Sequence, residues 1–197
     1  MIRPIPSGRK ALVSLFALIL ILPFASAAFA APEKAQAPAS DAPNYETWLT
    51  KEVRHQLVLL PFYSVFDNLE YQVQGSKVVL MGQVVQPVVK DDAAGAVKHI
   101  EGVTQVDNQI QVLPLSPMDN QIRRAEYRAI YGSPTLQMYQ VRSVPPIHII
   151  VKNAHVTLEG VVATAMDKQI AGMTANQVPG IFSVTNNLRV ENQPAAK

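Results

Sequence analysis

An internal repeat constrains this chain more than any other feature. The stretch LEYQVQGSKVVLMGQVVQPVVKDDAAGAVKHIEGVTQVDNQIQV, starting at Leu69, aligns without a gap on IHIIVKNAHVTLEGVVATAMDKQIAGMTANQVPGIFSVTNNLRV, starting at Ile147, at a constant offset of 78 residues. Val73 meets Val151, Val78 meets Val156, Leu80 meets Leu158 and Val84 meets Val162; Gly82 meets Gly160, Gly102 meets Gly180, and Asn108 meets Asn186. Coincident apolar and glycine positions over such a length mean one supersecondary unit used twice. Any fold must therefore be two small modules rather than one large core.

The periods within each copy predict the elements. Leu69, Tyr71 and Val73 alternate, Gly75-Ser76 supplies a tight turn, and Val78, Leu80 and Val84 alternate again, which is a β-hairpin with one buried face. Ile147, Ile149 and Val151, the turn Asn153-Ala154, then Val156, Leu158 and Val162 repeat it. A helical stripe follows: Val89, Ala93, Ala96, Val97 and Ile100 with Pro87 in the first turn, or Met166, Ile170, Met173 and Val178 in the second copy. Gly102 and Gly180 are expected to stop these helices in the left-handed conformation, and a last strand runs through Val106 and Val112 or Val184 and Val190. A helix precedes each hairpin, over residues 44–60 with Leu49, Val53, Leu57 and Leu60, and over 119–131 with Asp119 as its cap. A short extra helix is predicted from Ser133-Pro134, with Leu136 and Tyr139 on its face. The expected fold class is α+β: two α-β-β-α-β modules, each a small three-stranded mixed sheet covered by helices, the second carrying the extra helix. Gly82 and Gly160 fall mid-strand, where glycine marks a bulge or a close backbone approach, such as a helix crossing tightly over the sheet.

The first thirty residues read as a leader and not as fold. Arg3, Arg9 and Lys10 precede an apolar run from Ala11 to Leu22, and Ala28-Phe29-Ala30 offers a cleavage site. The run is shorter than the roughly 20 residues a bilayer span needs. With no cysteine in the sequence, an acylated lipoprotein and a disulfide framework are both excluded. The expected domains are 1–30 signal peptide, 31–43 Ala/Pro-rich linker, 44–115 first module, 116–192 second module and 193–197 tail. Three of the 17 basic residues and none of the 15 acidic ones lie in the leader, leaving 14 against 15. The basic excess thus belongs to the leader, and a nucleic-acid partner loses its electrostatic footprint.

The hairpin with VTLEG (Val156 to Gly160), the VPG at Val178 to Gly180 and the SVTNNL at Ser183 to Leu188 resemble the BON domain. The first copy is similar through VVLMG (Val78 to Gly82), EGV (Glu101 to Val103) and QVDNQI (Gln105 to Ile110). The resemblance implies the α-β-β-α-β fold, an exported, periplasmic or envelope location, association with phospholipid or envelope proteins, and no reaction.

Chemistry finds little foothold. There is no cysteine nucleophile, G-x-S-x-G, phosphate loop or H-E-x-x-H. His148 and His155 could approach one another, but no carboxylates complete a zinc set, so neither metal nor cofactor is expected. The functional candidate is the helix that opens the second module. Arg123, Arg124 and Arg128 share it with Tyr127 and Tyr131 at spacings that form adjacent rows on one surface, leaving Ile122, Ala125, Ala129 and Ile130 for the sheet. Guanidinium forks match phosphates and tyrosine suits a lipid–water boundary, so this row, extended by Arg142, is the expected contact with an anionic phospholipid surface. The competing reading is a protein-binding adaptor of an envelope assembly, docking partners on sheet faces or strand edges.

Overall fold

A computed structural model describes residues 44–191, together with Pro38. The expected leader, the linker and the tail after Glu191 lie outside the described residues. The element order is α1 (Tyr45–Val58), β1 (Asn68–Gln74), β2 (Lys77–Val84), α2 (Pro87–Lys98), β3 (Gln105–Asn108) and β4 (Gln111–Val112), then α3 (Pro117–Gly132), a 3₁₀ turn (Gln137–Val141), β5 (Ile147–Lys152), β6 (His155–Val162), α4 (Ala165–Ala175), β7 (Ser183–Asn186) and β8 (Arg189–Val190). The α+β repeat is therefore present, with the extra segment of the second module a 3₁₀ turn that buries Leu136 and Tyr139.

In each module the hairpin is antiparallel and the last strand lies parallel to the middle one, giving a mixed sheet in the order β1-β2-β3 or β5-β6-β7. That last strand comes in two pieces. Its break is made by the repeated asparagine: Asn108 Nδ2 donates to the Lys90 carbonyl at 2.9 Å while its Oδ1 accepts from Ile110 N. Asn186 makes the same bonds to Lys168 and Leu188. The amide side chain thus ties strand to helix, and the following Ile110 or Leu188 turns into the core. The first core gathers Leu49, Val53, Val78, Leu80, Val89 and Val97. The second gathers Ile122, Ile130, Ile147, Ile149, Val156 and Leu158.

Several expectations need correction. Gly82 and Gly160 do adopt positive φ, 109° and 117°, but the close neighbour is not a helix: an added Cβ would overlap the Asn68 or Pro146 carbonyl of the partner strand. Gly102 and Gly180 are left-handed, at 85° and 86°, yet they sit in turns beyond the helices, which end at Lys98 and Ala175. In α4, Met166 and Met173 face solvent while Ala171, Gly172 and Ala175 are buried; packing selects the smaller side chains. The cap of α3 is Ser116, which accepts from Asp119 N. Asp119 instead reaches across to the β5–β6 turn.

The modules belong to one compact unit and touch through the loop between α1 and β1. Val65 from that loop is buried in the second core, and its carbonyl accepts from Ile149 N at 2.8 Å. Asp67 holds the loop's shape by accepting from Ser64 N, Ser64 Oγ and Val85 N.

Candidate functional site

Helix α3 carries polar side chains on both of its faces, and burial sorts them. Its inward face consists of Asp119, Ile122, Arg123, Glu126, Ile130 and Tyr131, a stripe at helical spacing. Arg123 and Tyr131, expected on the surface, are each only 3% exposed. Arg123 Nη2 donates to the Val151 carbonyl and Nη1 to Asn120 Oδ1, both at 2.6 Å. The Tyr131 hydroxyl donates to the Ile147 carbonyl at 2.6 Å. Burial lowers the Arg123 pKa, partly offset by the Asp119 and Asp67 carboxylates, and burial raises that of Tyr131. Neither side chain lies on the surface.

Their targets have a common origin. In a hairpin with a two-residue turn, the residues flanking the turn exchange inward hydrogen bonds, and alternate residues aim their backbone groups outward. Along β5 these are Ile147, Ile149 and Val151. Tyr131 takes the first, Val65 the second and Arg123 the third. The outer edge of the second sheet is thereby closed without another strand, which removes an aggregation hazard.

Asp119 closes the turn at the end of the same strand. Its carboxylate accepts from Asn153 N and Ala154 N, both at 2.9 Å. Both turn residues have positive φ, 53° and 62°, so the carboxylate stabilises a left-handed pair in which alanine is disfavoured. Glu126 is fully buried, and neither carboxylate oxygen has a hydrogen-bond partner. Burial pushes its pKa up from 4.5 to about 8. No ion pair joins it to Arg123, one turn away.

The outward face of α3 keeps Met118, Gln121, Arg124 and Arg128. With Pro179, from the turn before β7, they line a groove of about 330 Å³. Arg142 and Tyr127 instead line a separate crevice of about 640 Å³, with Tyr63, Ser64 and Val65 of the first module opposite Gln137 and Gln140. Tyr127 is fixed there by Phe66 at 6.2 Å and by Tyr131 at 5.0 Å. The predicted row of six is thus split into two exposed arginines, a crevice pair and two buried edge ligands.

From Leu113 to Leu158 the only carboxylates are Asp119 and Glu126, 1% and 0% exposed, whereas Arg124, Arg128, Arg142 and Lys152 are exposed. Leu115, 92% exposed, and Met118, 57% exposed, add apolar surface where α3 begins. The histidines are engaged separately: His148 stacks on Tyr63 at 5.7 Å, and His155 Nδ1 lies 2.7 Å from Ser183 Oγ. Among the described residues no group of three or more side chains could hold a metal ion, and no helix is long and apolar enough to cross a membrane.

Comparison with known proteins follows the repeat. The family model described as BON domain matches residues 45–114 and 136–192. No curated protein matches the sequence. Among solved structures, one from structural studies of CdsD, a structural protein of the Type III secretion system of Chlamydia trachomatis, is similar at 12% identity and a TM-score of 0.29, covering 73% of this chain and 93% of that one. A second, of the CdsD C-terminal domain, gives 12% identity and a TM-score of 0.26 over 73% and 97%.

Proposed function

We propose that this chain, which belongs to the BON domain family, is a non-catalytic component of the cell envelope that touches anionic phospholipid surfaces through the outward face of α3. The family is linked to envelope proteins and is generally non-enzymatic. The observation that carries the reading is the sign of the exposed charge on α3: both of its acids are buried, while Arg124 and Arg128 are exposed and share a groove with Met118. Guanidinium groups meet phosphate in two-pronged pairs, and the neighbouring apolar side chains suit the boundary between headgroups and acyl chains. Such a contact is peripheral and weakens with salt.

The test is vesicle co-sedimentation with anionic and zwitterionic lipids at low and high salt. Binding confined to anionic vesicles, lost at high salt and lost in Arg124→Glu/Arg128→Glu, is the expected result. Sedimentation unaffected by that double change, or absent with every lipid, overturns the reading. A protein-binding role has one observation in its favour, the crevice between the modules lined by Tyr63, Tyr127, Arg142 and Pro145. It would appear as a complex recovered without lipid and sensitive to Arg142→Glu.

A further inference from the structure

The two modules treat the same sheet edge differently. In the second, all three outward-pointing positions of β5 are bonded, to Tyr131, Val65 and Arg123, and Ile147, Ile149 and Val151 are completely buried. The repeat places Leu69, Tyr71 and Val73 of β1 at the equivalent positions. Among the described residues no side chain of α1 bonds the backbone of Tyr71 or Val73. The Tyr45 hydroxyl of α1 donates to the Gly102 carbonyl instead. Among the described residues the outward amides and carbonyls of Tyr71 and Val73 have no hydrogen-bond partner. Leu69, Tyr71 and Val73 are left half-buried on the first core.

Beyond the Tyr63 hydroxyl at the Leu69 backbone, the edge lacks the usual protections. Between Asn68 and Gln74 there is no proline and no lysine, and pairing with β2 is unbroken over seven residues. The other outer strands are poorer templates, since β3 and β7 are four residues long and interrupted afterwards. The loop of the second module that corresponds to the Val65 loop carries Pro145 and Pro146, which have no N–H to offer.

We propose that β1 pairs antiparallel with β1 of a second copy of this chain, on a two-fold axis at Tyr71. Tyr71 is the middle residue of the strand and points its backbone outward, so it and its symmetry mate exchange both hydrogen bonds. The register then sets Leu69 against Val73, continuing the half-buried apolar face across both sheets. On the opposite face it sets Glu70 against Gln72 and Asn68 against Gln74. The strand's one carboxylate meets an amide and not its own copy, so the pairing is free of a direct like-charge contact. The contact is isologous and closes as a dimer instead of growing into a fibre. It joins one sheet to another through the module that the proposed lipid face does not use.

The absence of cysteine makes the register directly readable. Glu70→Cys and Gln72→Cys are single changes at exposed positions, and the proposed pairing brings residue 70 of one copy opposite residue 72 of the other, at a spacing a disulfide accepts. Sedimentation velocity over a concentration series is expected to show a monomer–dimer equilibrium. On mild oxidation, an equimolar mixture of the two variants is expected to form the mixed cross-link several-fold faster than either variant alone forms its own. A monomer at every concentration overturns the proposal. So does a dimer whose mixed cross-link is no faster than the homotypic ones, since that dimer uses another surface.

Discussion

The Tyr131 hydroxyl and the Ile147 carbonyl are joined by a 2.6 Å hydrogen bond that runs from a helix to the outer edge of a sheet. The oxygen it satisfies would otherwise face an apolar core, since Ile147 is completely buried. Breaking it therefore leaves a desolvated acceptor with no water to replace the donor. Tyr131→Phe is expected to lower the unfolding free energy by about 1–3 kcal/mol, read from the urea midpoint at unchanged slope. The exposed Arg124→Ala, as a comparison, should change it by no more than about 0.5 kcal/mol.

Glu126 should give the protein a downward pH slope. Its carboxyl titrates at about 8 when folded and near 4.5 when unfolded, so between these values the folded state holds a proton that the unfolded chain has released. Stability then falls as pH rises, by up to roughly 1.4 kcal/mol per unit. Burial lowers the pKa of His148, whose contribution is instead lost as pH falls through 6.5 and below, with the opposite sign. The quantity to read is therefore the difference between Glu126→Gln and the parent. Thermal melts from about pH 5 to pH 8 should show the variant gaining on the parent steadily; a constant difference would contradict the assignment.

Asp119 should matter more than an ordinary surface acid. It holds two backbone N–H groups of a turn whose residues are both left-handed, at Asn153 and Ala154. Asp119→Ala is expected to cost about 2–4 kcal/mol through two lost charge-assisted bonds, with Asp119→Asn recovering part of it. Ala154→Gly should stabilise by roughly 1 kcal/mol, because glycine adopts that conformation freely. Chemical denaturation of the three variants checks the order.

The glycines divide by environment. Gly160→Ala puts a Cβ onto the Pro146 carbonyl at a φ of 117°, and is expected to destabilise by several kcal/mol or prevent folding. Gly95 lies in the interior of α2 with open space around it, and Gly95→Ala should stabilise by about 0.5–1 kcal/mol. Equal effects at the two positions would be inconsistent with this structure.

The helices and hairpins were legible because they rest on local periods: alternation for β1, β2, β5 and β6, four-residue spacing for Leu49, Val53 and Leu57, and turn residues at Gly75 and Asn153. Met166 and Met173 misled because α4 packs through Ala171, Gly172 and Ala175, where closeness outweighs side-chain size. The asparagines were visible as a repeated pair, Asn108 and Asn186, and an interrupted last strand gives that repetition its reason. The expected surface row divides for a different reason. Spacing on a helix shows that Arg123, Tyr127 and Tyr131 are neighbours, but not which row turns inward.

The sequence by itself determined that there are two modules, what elements each contains and how its strands alternate, because repetition and periodicity are properties of the chain alone. Tertiary structure decided which polar groups are buried. Arg123 and Tyr131 enter the core because unpaired backbone carbonyls await them there. Those carbonyls, on Val151 and Ile147, exist only once β5 has become the edge of a sheet and α3 lies alongside it.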